Sequence, residues 1–174
     1  TPMSLNAEIA GSLKFSEQQL SEYVINATRE VFSTMVMMEP ADDFPLKEPI
    51  THFKCSITGM VGFAGTYSGV ISIHCPVKLA KKITAAMLGM EEDEVEEGGE
   101  DLNDAVGEIA NMLGGSVKMI LSKGGLDVKL SIPTVISGED YTVNSLSDID
   151  CVAIPFNVDG TERFLVGLTL KKEE

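Results

Sequence analysis

Residues 101–122 place two acids and an amide at helical spacing, and these side chains could do chemistry together. At about 100° per residue, Asp104, Glu108 and Asn111 fall within about 60° of one another, so a helix carries them as one outward stripe. Gly115 extends the stripe by one turn and leaves bare backbone there. A carboxylate accepts hydrogen bonds or pairs with a cation, and an amide both donates and accepts. The stripe is therefore either a functional site or an ordinary solvated face.

The remainder of this segment predicts how the stripe is supported. Apolar residues share the opposite arc and indicate a buried face: Leu102, Val106, Ile109, Leu113, Val117, Ile120 and Leu121. Met112 and Met119 lie within about 40° of Glu108, so we expect them to project beside the stripe and contact a partner. The competing interpretation is that strands or another subunit cover both methionines. Gly107 and Gly114 each cost a helix about 1 kcal/mol relative to alanine, which indicates that another backbone or a partner comes close.

Further helices and a set of strands are predicted around this helix. Apolar residues at spacings of three or four predict helices over about 17–38 and 76–88. Period-two alternation predicts strands at 53–58, 67–73, 128–132, 141–143, 150–158 and 164–170. Gly59, Gly62 and Gly65 are expected near the turn after the first strand. Asp159-Gly160 is the signal of a hairpin turn between the last two strands.

The order of these elements predicts an α+β fold. Each half places a long amphipathic helix before a set of antiparallel strands, so we expect two related units that form one domain, with the helices packed on the sheet. The length of 174 residues fits one domain. We assign residues 1–15 to a loose lead-in and residues 16–172 to the domain. The acidic run 91–100 is predicted to be a solvated linker, with an electrostatic docking segment as the alternative.

Composition excludes several classes of function. Lys and Arg number 13 against 27 Asp and Glu, a net charge of −14, which argues against binding to nucleic acid or to an anionic membrane surface. No apolar run approaches the roughly 20 residues that span a bilayer, and the first residues predict no signal peptide. Cys55, Cys75 and Cys151 are odd in number and far apart, as is typical of core cysteines in a reducing compartment. We therefore expect a cytoplasmic protein.

Other polar residues are predicted to have structural or solvated roles. His52 and His74 have no partners at metal-ligand spacing, so we predict no metal site. Glu22 and Asn26 in the first helix are four residues apart rather than three, and we interpret them as a solvated face.

The run from Asp104 to Gly115 resembles the D/S-x3-E-x2-N-x3-G signature of the CheC/CheX/FliY family of chemotaxis phosphatases. Residues 27–35 resemble the first helix of this family, residues 86–90 the end of its crossover helix, and residues 133–138 the stretch after the motif helix. The resemblance covers about residues 16–171. Since the chain carries one motif, it is most similar to the CheX members.

This resemblance implies a CheC-like fold and a phosphatase that acts on the aspartyl phosphate of a CheY-type response regulator. Asn111 matches the asparagine that positions the attacking water, and Glu108 the glutamate that pairs with a lysine of the receiver domain. Asp104 and Gly115 match supporting positions. The receiver would supply Mg²⁺, and the phosphatase needs no cofactor of its own.

The resemblance also implies a homodimer that associates through its sheets. Two alternatives to the phosphatase stay open. The first is a non-catalytic module that docks receiver domains or a flagellar-switch component, and the second is a structural or sensory domain unrelated to phosphotransfer.

Overall fold

A computed structural model describes residues 17–45, 50, 52–123, 125, 127–144, 150–159 and 162–172 of the chain. Within these residues the helices are α1 (Glu17–Val36), α2 (Val77–Leu88) and α3 (Glu100–Lys123). The strands are β1 (Ala41–Asp42), β2 (His52–Gly65), β3 (Tyr67–Cys75), β4 (Val128–Leu130), β5 (Thr134–Asn144), β6 (Asp150–Val158) and β7 (Glu162–Lys172). The predicted lead-in at 1–15 lies outside the described residues.

The strands form one antiparallel sheet in the order β1-β6-β7-β3-β2, with β4 and β5 both on the far edge of β2. The same unit occurs twice along the chain: α1 precedes β1, β2 and β3, and α3 precedes β4/β5, β6 and β7. The first strand of each unit pairs with the second strand of the other, β1 with β6 and β5 with β2. The predicted α+β fold of two helix-plus-strand units is confirmed, and this exchange joins the units in one sheet.

The core lies between the helices and one face of the sheet. Phe32 of α1 stacks on Phe164 of β7 at a ring-centroid distance of 4.7 Å, and Phe156 of β6 also stacks on Phe164, at 5.1 Å. Such offset aromatic pairs add to the free energy of apolar burial. The predicted inner face of α3 is buried at Leu102, Val106, Ile109, Leu113, Val117 and Leu121. Among the described helices, none has the combined length and apolarity that crossing a membrane requires.

The helix ends follow the local signals closely. α2 begins after Pro76 and ends at Gly89, which has a φ of 67°, as is usual for a glycine that ends a helix. α1 ends at Val36, two residues before the predicted end. There Met37 adopts a φ of 53°, and the Met38 amide donates to the Phe32 carbonyl at 3.2 Å. This left-handed turn closes the helix without a glycine.

The strands differ more from the prediction than the helices do. β5 runs for 11 residues where a short strand at 141–143 was expected, and β1 was not predicted. The predicted strand at 128–132 ends at Leu130. β2 is 14 residues long, so Gly59 and Gly62 lie inside it rather than in a turn. The hairpin after β6 is confirmed, since Val158 pairs with Glu162 across it.

The acidic run 91–100 keeps its carboxylates exposed, as predicted for a solvated linker, and it is also anchored to the domain. It contains one turn of 3-10 helix at Glu92–Glu94. Val95 is buried in the core, and Glu97 pairs with Lys81 of α2 at 3.4 Å. One apolar side chain therefore fixes the segment while its carboxylates stay in water.

On the sheet face away from the helices, a buried hydrogen-bonded group joins β2, β3 and β5. His74 Nδ1 lies 2.8 Å from Thr58 Oγ1, and His74 Nε2 lies 2.8 Å from Ser72 Oγ. The Tyr141 hydroxyl donates to Thr58 Oγ1 at 2.7 Å. Burial lowers the pKa of His74 to about 4, so its ring is neutral at pH 7. Both ring nitrogens are thus engaged within the sheet.

Candidate functional site

The position of α3 depends on two glycines that let it rest directly on β2. A Cβ on Gly59 of β2 would lie 2.9 Å from the Val106 carbonyl oxygen and 3.1 Å from Ala110 Cβ. A Cβ on Gly114 of α3 would lie 2.9 Å from Val61 Cγ1. Both distances are too short for a side chain, so each contact requires glycine on one partner. The close approach that the sequence indicated at Gly114 is therefore an approach to the sheet.

With α3 held in this way, the predicted stripe faces outward. Asp104, Glu108 and Asn111 are all exposed. Glu108 and Asn111 are three residues apart, which on a helix is about 4.5 Å along the axis. On Gly115, a Cβ would meet no atom within 4 Å, so the helix surface beyond Asn111 is open. The structure thus brings the four predicted stripe residues to one accessible face.

The two methionines beside the stripe differ in their surroundings. Met119 is 61% exposed, as the helical spacing predicted. Met112 is half-buried and packs against the core. The expectation that Met112 projects beside the stripe rather than into the core was wrong, because its flexible side chain is partly buried against the core.

One side of the stripe is bordered by the start of β5 and the residue just before it. A Cβ on Gly107 would lie 3.3 Å from Val135 Cγ2 and 3.8 Å from Pro133 Cβ. Gly107 is one turn before Asn111, so Pro133 and Val135 stand beside the stripe. Sequence reasoning did not assign a role to this segment, although Gly107 gave a signal that something lies close to the helix.

The charges along α3 change sign from its beginning to its end. Glu100 and Asp101 occupy the first turn and Lys123 the last, an arrangement that the helix dipole favours. Between these ends, Glu108 lies on the outward face, and Asn111 is an uncharged donor and acceptor beside it. Among the described residues, no three His, Cys, Asp or Glu side chains come together as a metal site would require. The arrangement suits the binding of a cation and the orientation of a water molecule.

The corresponding helix of the first unit, α1, has a different face. Glu22 and Asn26 are exposed there, as predicted. They border a cavity of about 380 Å³ that Arg29 and Asp42 also line. Arg29 and Asp42 form an ion pair with each other. The cationic group at this place is thus already engaged within the chain.

The two adjacent glycines of α3 provide a matched test of this packing. Gly115→Ala should stabilise the fold by about 1 kcal/mol, because alanine favours the helix and its methyl group enters open space. Gly114→Ala should destabilise it, because overpacking against Val61 costs about 1–3 kcal/mol. Urea unfolding of both variants gives the two free energies. Equal shifts of the unfolding midpoint in the same direction would contradict the described contact.

The chain is similar to known proteins in sequence and in fold. Residues 57–157 match the family described as chemotaxis phosphatase CheX. The chain is 28% identical over 149 residues to the CheY-P phosphatase CheX of Thermotoga maritima, covering 85% of this chain and 93% of that protein.

Solved structures show the same fold. A chemotaxis protein CheX from Desulfovibrio desulfuricans superposes with a TM-score of 0.75 at 30% identity, over 87% of this chain and 99% of that one. The CheX-CheY-BeF3-Mg²⁺ complex from Borrelia burgdorferi matches with a TM-score of 0.69 at 20% identity, over 87% and 97% of the two chains. The last likeness is one of fold alone.

Proposed function

This chain belongs to the CheX family of chemotaxis phosphatases, and from that premise we propose that it accelerates hydrolysis of the aspartyl phosphate of a CheY-type response regulator. The observation that carries the proposal is the exposed pair Glu108 and Asn111 on α3, in the spacing of the family signature. The names of two relatives support it. One is a CheY-P phosphatase, and another is a CheX bound to CheY with beryllofluoride and Mg²⁺.

Asn111 is proposed to position the attacking water. Its amide can accept a hydrogen bond from the water at Oδ1 and donate one from Nδ2, so it can fix the water in line with the phosphorus–oxygen bond. The water oxygen attacks phosphorus, the bond to the aspartyl oxygen breaks, and the carboxylate leaves with the electron pair. Inorganic phosphate forms and the excess proton passes to solvent. Positioning of this kind lowers the barrier without a strong base.

Glu108 is proposed to fix the docked receiver by pairing with a lysine beside the phosphoryl group. Since Glu108 and Asn111 project from one helix face, a lysine held by the first determines where the second points. The phosphorylated receiver would supply Mg²⁺, which compensates charge on the phosphoryl oxygens. This chain would need no cofactor of its own, and we expect it to act in the cytoplasm with its receiver.

The remaining stripe residues are proposed to shape the docking surface. Gly115 leaves room for the receiver backbone, since nothing within 4 Å covers it. Asp104 extends the negative charge of Glu108 by one turn. Met119 offers an exposed, flexible apolar contact beside the stripe. Met112 could touch a partner only with the part that the core leaves accessible.

The first test is the decay of a phosphorylated receiver with and without the chain, and with Asn111→Ala. The wild type should accelerate decay, and Asn111→Ala should lose about a hundredfold in kcat, a barrier increase of about 2.7 kcal/mol. The variant should unfold like the wild type, because Asn111 is exposed. Near wild-type turnover in the variant would remove the catalytic role. Binding of the receiver without acceleration by the wild type would favour the non-catalytic docking module.

Glu108→Ala should affect docking as well as turnover, because it removes one partner of an interfacial ion pair. We expect weaker binding of the beryllofluoride-loaded receiver at low salt, and a smaller difference from wild type at high salt, where exposed charges are screened. Glu108→Gln, which keeps the shape and removes the charge, is the matched variant. Identical low-salt binding curves for all three proteins would contradict the pairing.

We also propose a homodimer that forms through a sheet edge. The end of the sheet at β6 fits best, because α3 packs on β2, β3, β4 and β5 at the other end. In the described part of the chain, β1 pairs with Phe156 and Asn157 of β6, and the Asp43 amide donates to the Pro155 carbonyl at 2.9 Å, so the rest of this edge has no strand beside it. Pairing of strand edges is a common way to cover them. The contact must overcome repulsion between chains of net charge −14.

Sedimentation at micromolar concentration tests this assembly. We expect the chain to sediment as a dimer when it is alone. When a receiver mimic is added, each dimer should bind two receivers, because each α3 stays outward. A monomer under both conditions would contradict the assembly. A dimer that binds one receiver would contradict its geometry.

A further inference from the structure

β4 and β5 follow each other along the same edge of β2, and a β-bulge lies between them. Leu130 of β4 pairs with Phe63 of β2, and Thr134 of β5 pairs with Met60. From Phe63 to Met60, β2 advances by three residues, while the chain opposite it advances by four, from Leu130 to Thr134. The edge therefore contains one extra residue. Bulges occur often beside active sites, where they change the direction of a side chain.

This bulge lies beside the middle of the stripe. Ser131 bonds to Gly62, so the next two residues, Ile132 and Pro133, both oppose Val61. Val61 is the residue that meets α3 at Gly114, while Pro133 meets α3 at Gly107. Asn111 lies between Gly107 and Gly114 along the helix. The bulge is thus level with Asn111.

Ile132 is 84% exposed, although its backbone is held firmly. The Ser131 amide donates to the Gly62 carbonyl at 2.8 Å, and the Gly62 amide donates to Ser131 Oγ at 2.9 Å. Ser131 Oγ also donates to the Ile132 carbonyl at 3.0 Å. A large apolar side chain on a fixed backbone loses little backbone freedom when a partner buries it.

We propose that Ile132 is an apolar anchor that packs against the receiver while Glu108 and Asn111 engage its phosphorylation site. This inference rests on the proposed function and names a further contact of the same site. Continuity with the stripe favours the receiver as the occupant. A second copy of the chain seated on Ile132 would crowd the stretch of α3 that Pro133 borders, which includes Asn111. Salt screens the charged contacts that a chain of net charge −14 makes. An uncharged anchor is not screened, so its contribution to binding does not depend on salt.

Ile132→Ser separates docking from chemistry. We expect KM for the phosphorylated receiver to rise about tenfold, which is ~1.4 kcal/mol of binding free energy, with kcat within about twofold of wild type. Affinity for the beryllofluoride-loaded receiver should fall by the same factor. Ile132→Leu should retain the wild-type KM, because it keeps an apolar side chain of equal size.

Ile136→Ser is the matched control. Ile136 is 48% exposed, and it pairs with Thr58, so its side chain lies on the sheet face away from α3. We expect this variant to keep the wild-type KM. Ile132→Ser should unfold near the wild-type midpoint, because Ile132 buries little surface within the chain.

The outcomes distinguish this inference from the function on which it rests. An active wild type together with an unchanged KM in Ile132→Ser would overturn the anchor alone. An equal rise of KM in Ile136→Ser would do the same. Loss of the dimer in Ile132→Ser would assign the side chain to the subunit interface and overturn the anchor. A wild-type chain that neither hydrolyses nor binds any receiver would overturn both the anchor and the proposed function. If the wild-type chain binds the receiver without hydrolysis, the affinity of Ile132→Ser for the beryllofluoride-loaded receiver decides whether Ile132 is an anchor.

Discussion

The contact between α3 and β2 is the constraint on which the rest of the structure depends. Backbone and small side chains meet there, because Gly59 on the strand and Gly114 on the helix leave room for Val106, Ala110 and Val61. A contact without long side chains permits little rotation of the helix about its axis. The outward direction of the stripe is therefore set by packing on the buried side of the same helix.

The two similar units differ in what lies beside their helices. Each unit contributes a helix and a set of strands to the domain, and all the strands lie in one sheet. The first strand of each unit pairs with the second strand of the other unit. In the first unit, Arg29 of α1 and Asp42 of β1 pair across the groove beside the helix. In the second unit, Pro133 and Val135 lie beside Gly107 of α3. The acid and the amide on α3 remain accessible to a partner.

The stripe could be predicted from the sequence because helical periodicity is local. Spacing alone placed Asp104, Glu108, Asn111 and Gly115 on one face, and the family signature singled out the pair within it. Pairing between distant strands is not local, so the length of β5 and the bulge at Ile132 carried no periodic signal. Gly59 was misassigned to a turn for the same reason, since its role depends on a helix some 50 residues later. Met112 was misplaced because the side-chain packing of a flexible residue does not follow from its helical angle.

In the function proposed above, α3 presents Asn111 to the phosphorylation site of a receiver domain. The most direct measurement is a crystal structure of this chain bound to a CheY-type receiver loaded with beryllofluoride and Mg²⁺. We expect the Asn111 amide at hydrogen-bond distance, about 3 Å, from a water in line with the beryllofluoride, with Glu108 facing a receiver lysine. A complex in which another surface of the chain meets the beryllofluoride, and Asn111 remains in solvent, would contradict it.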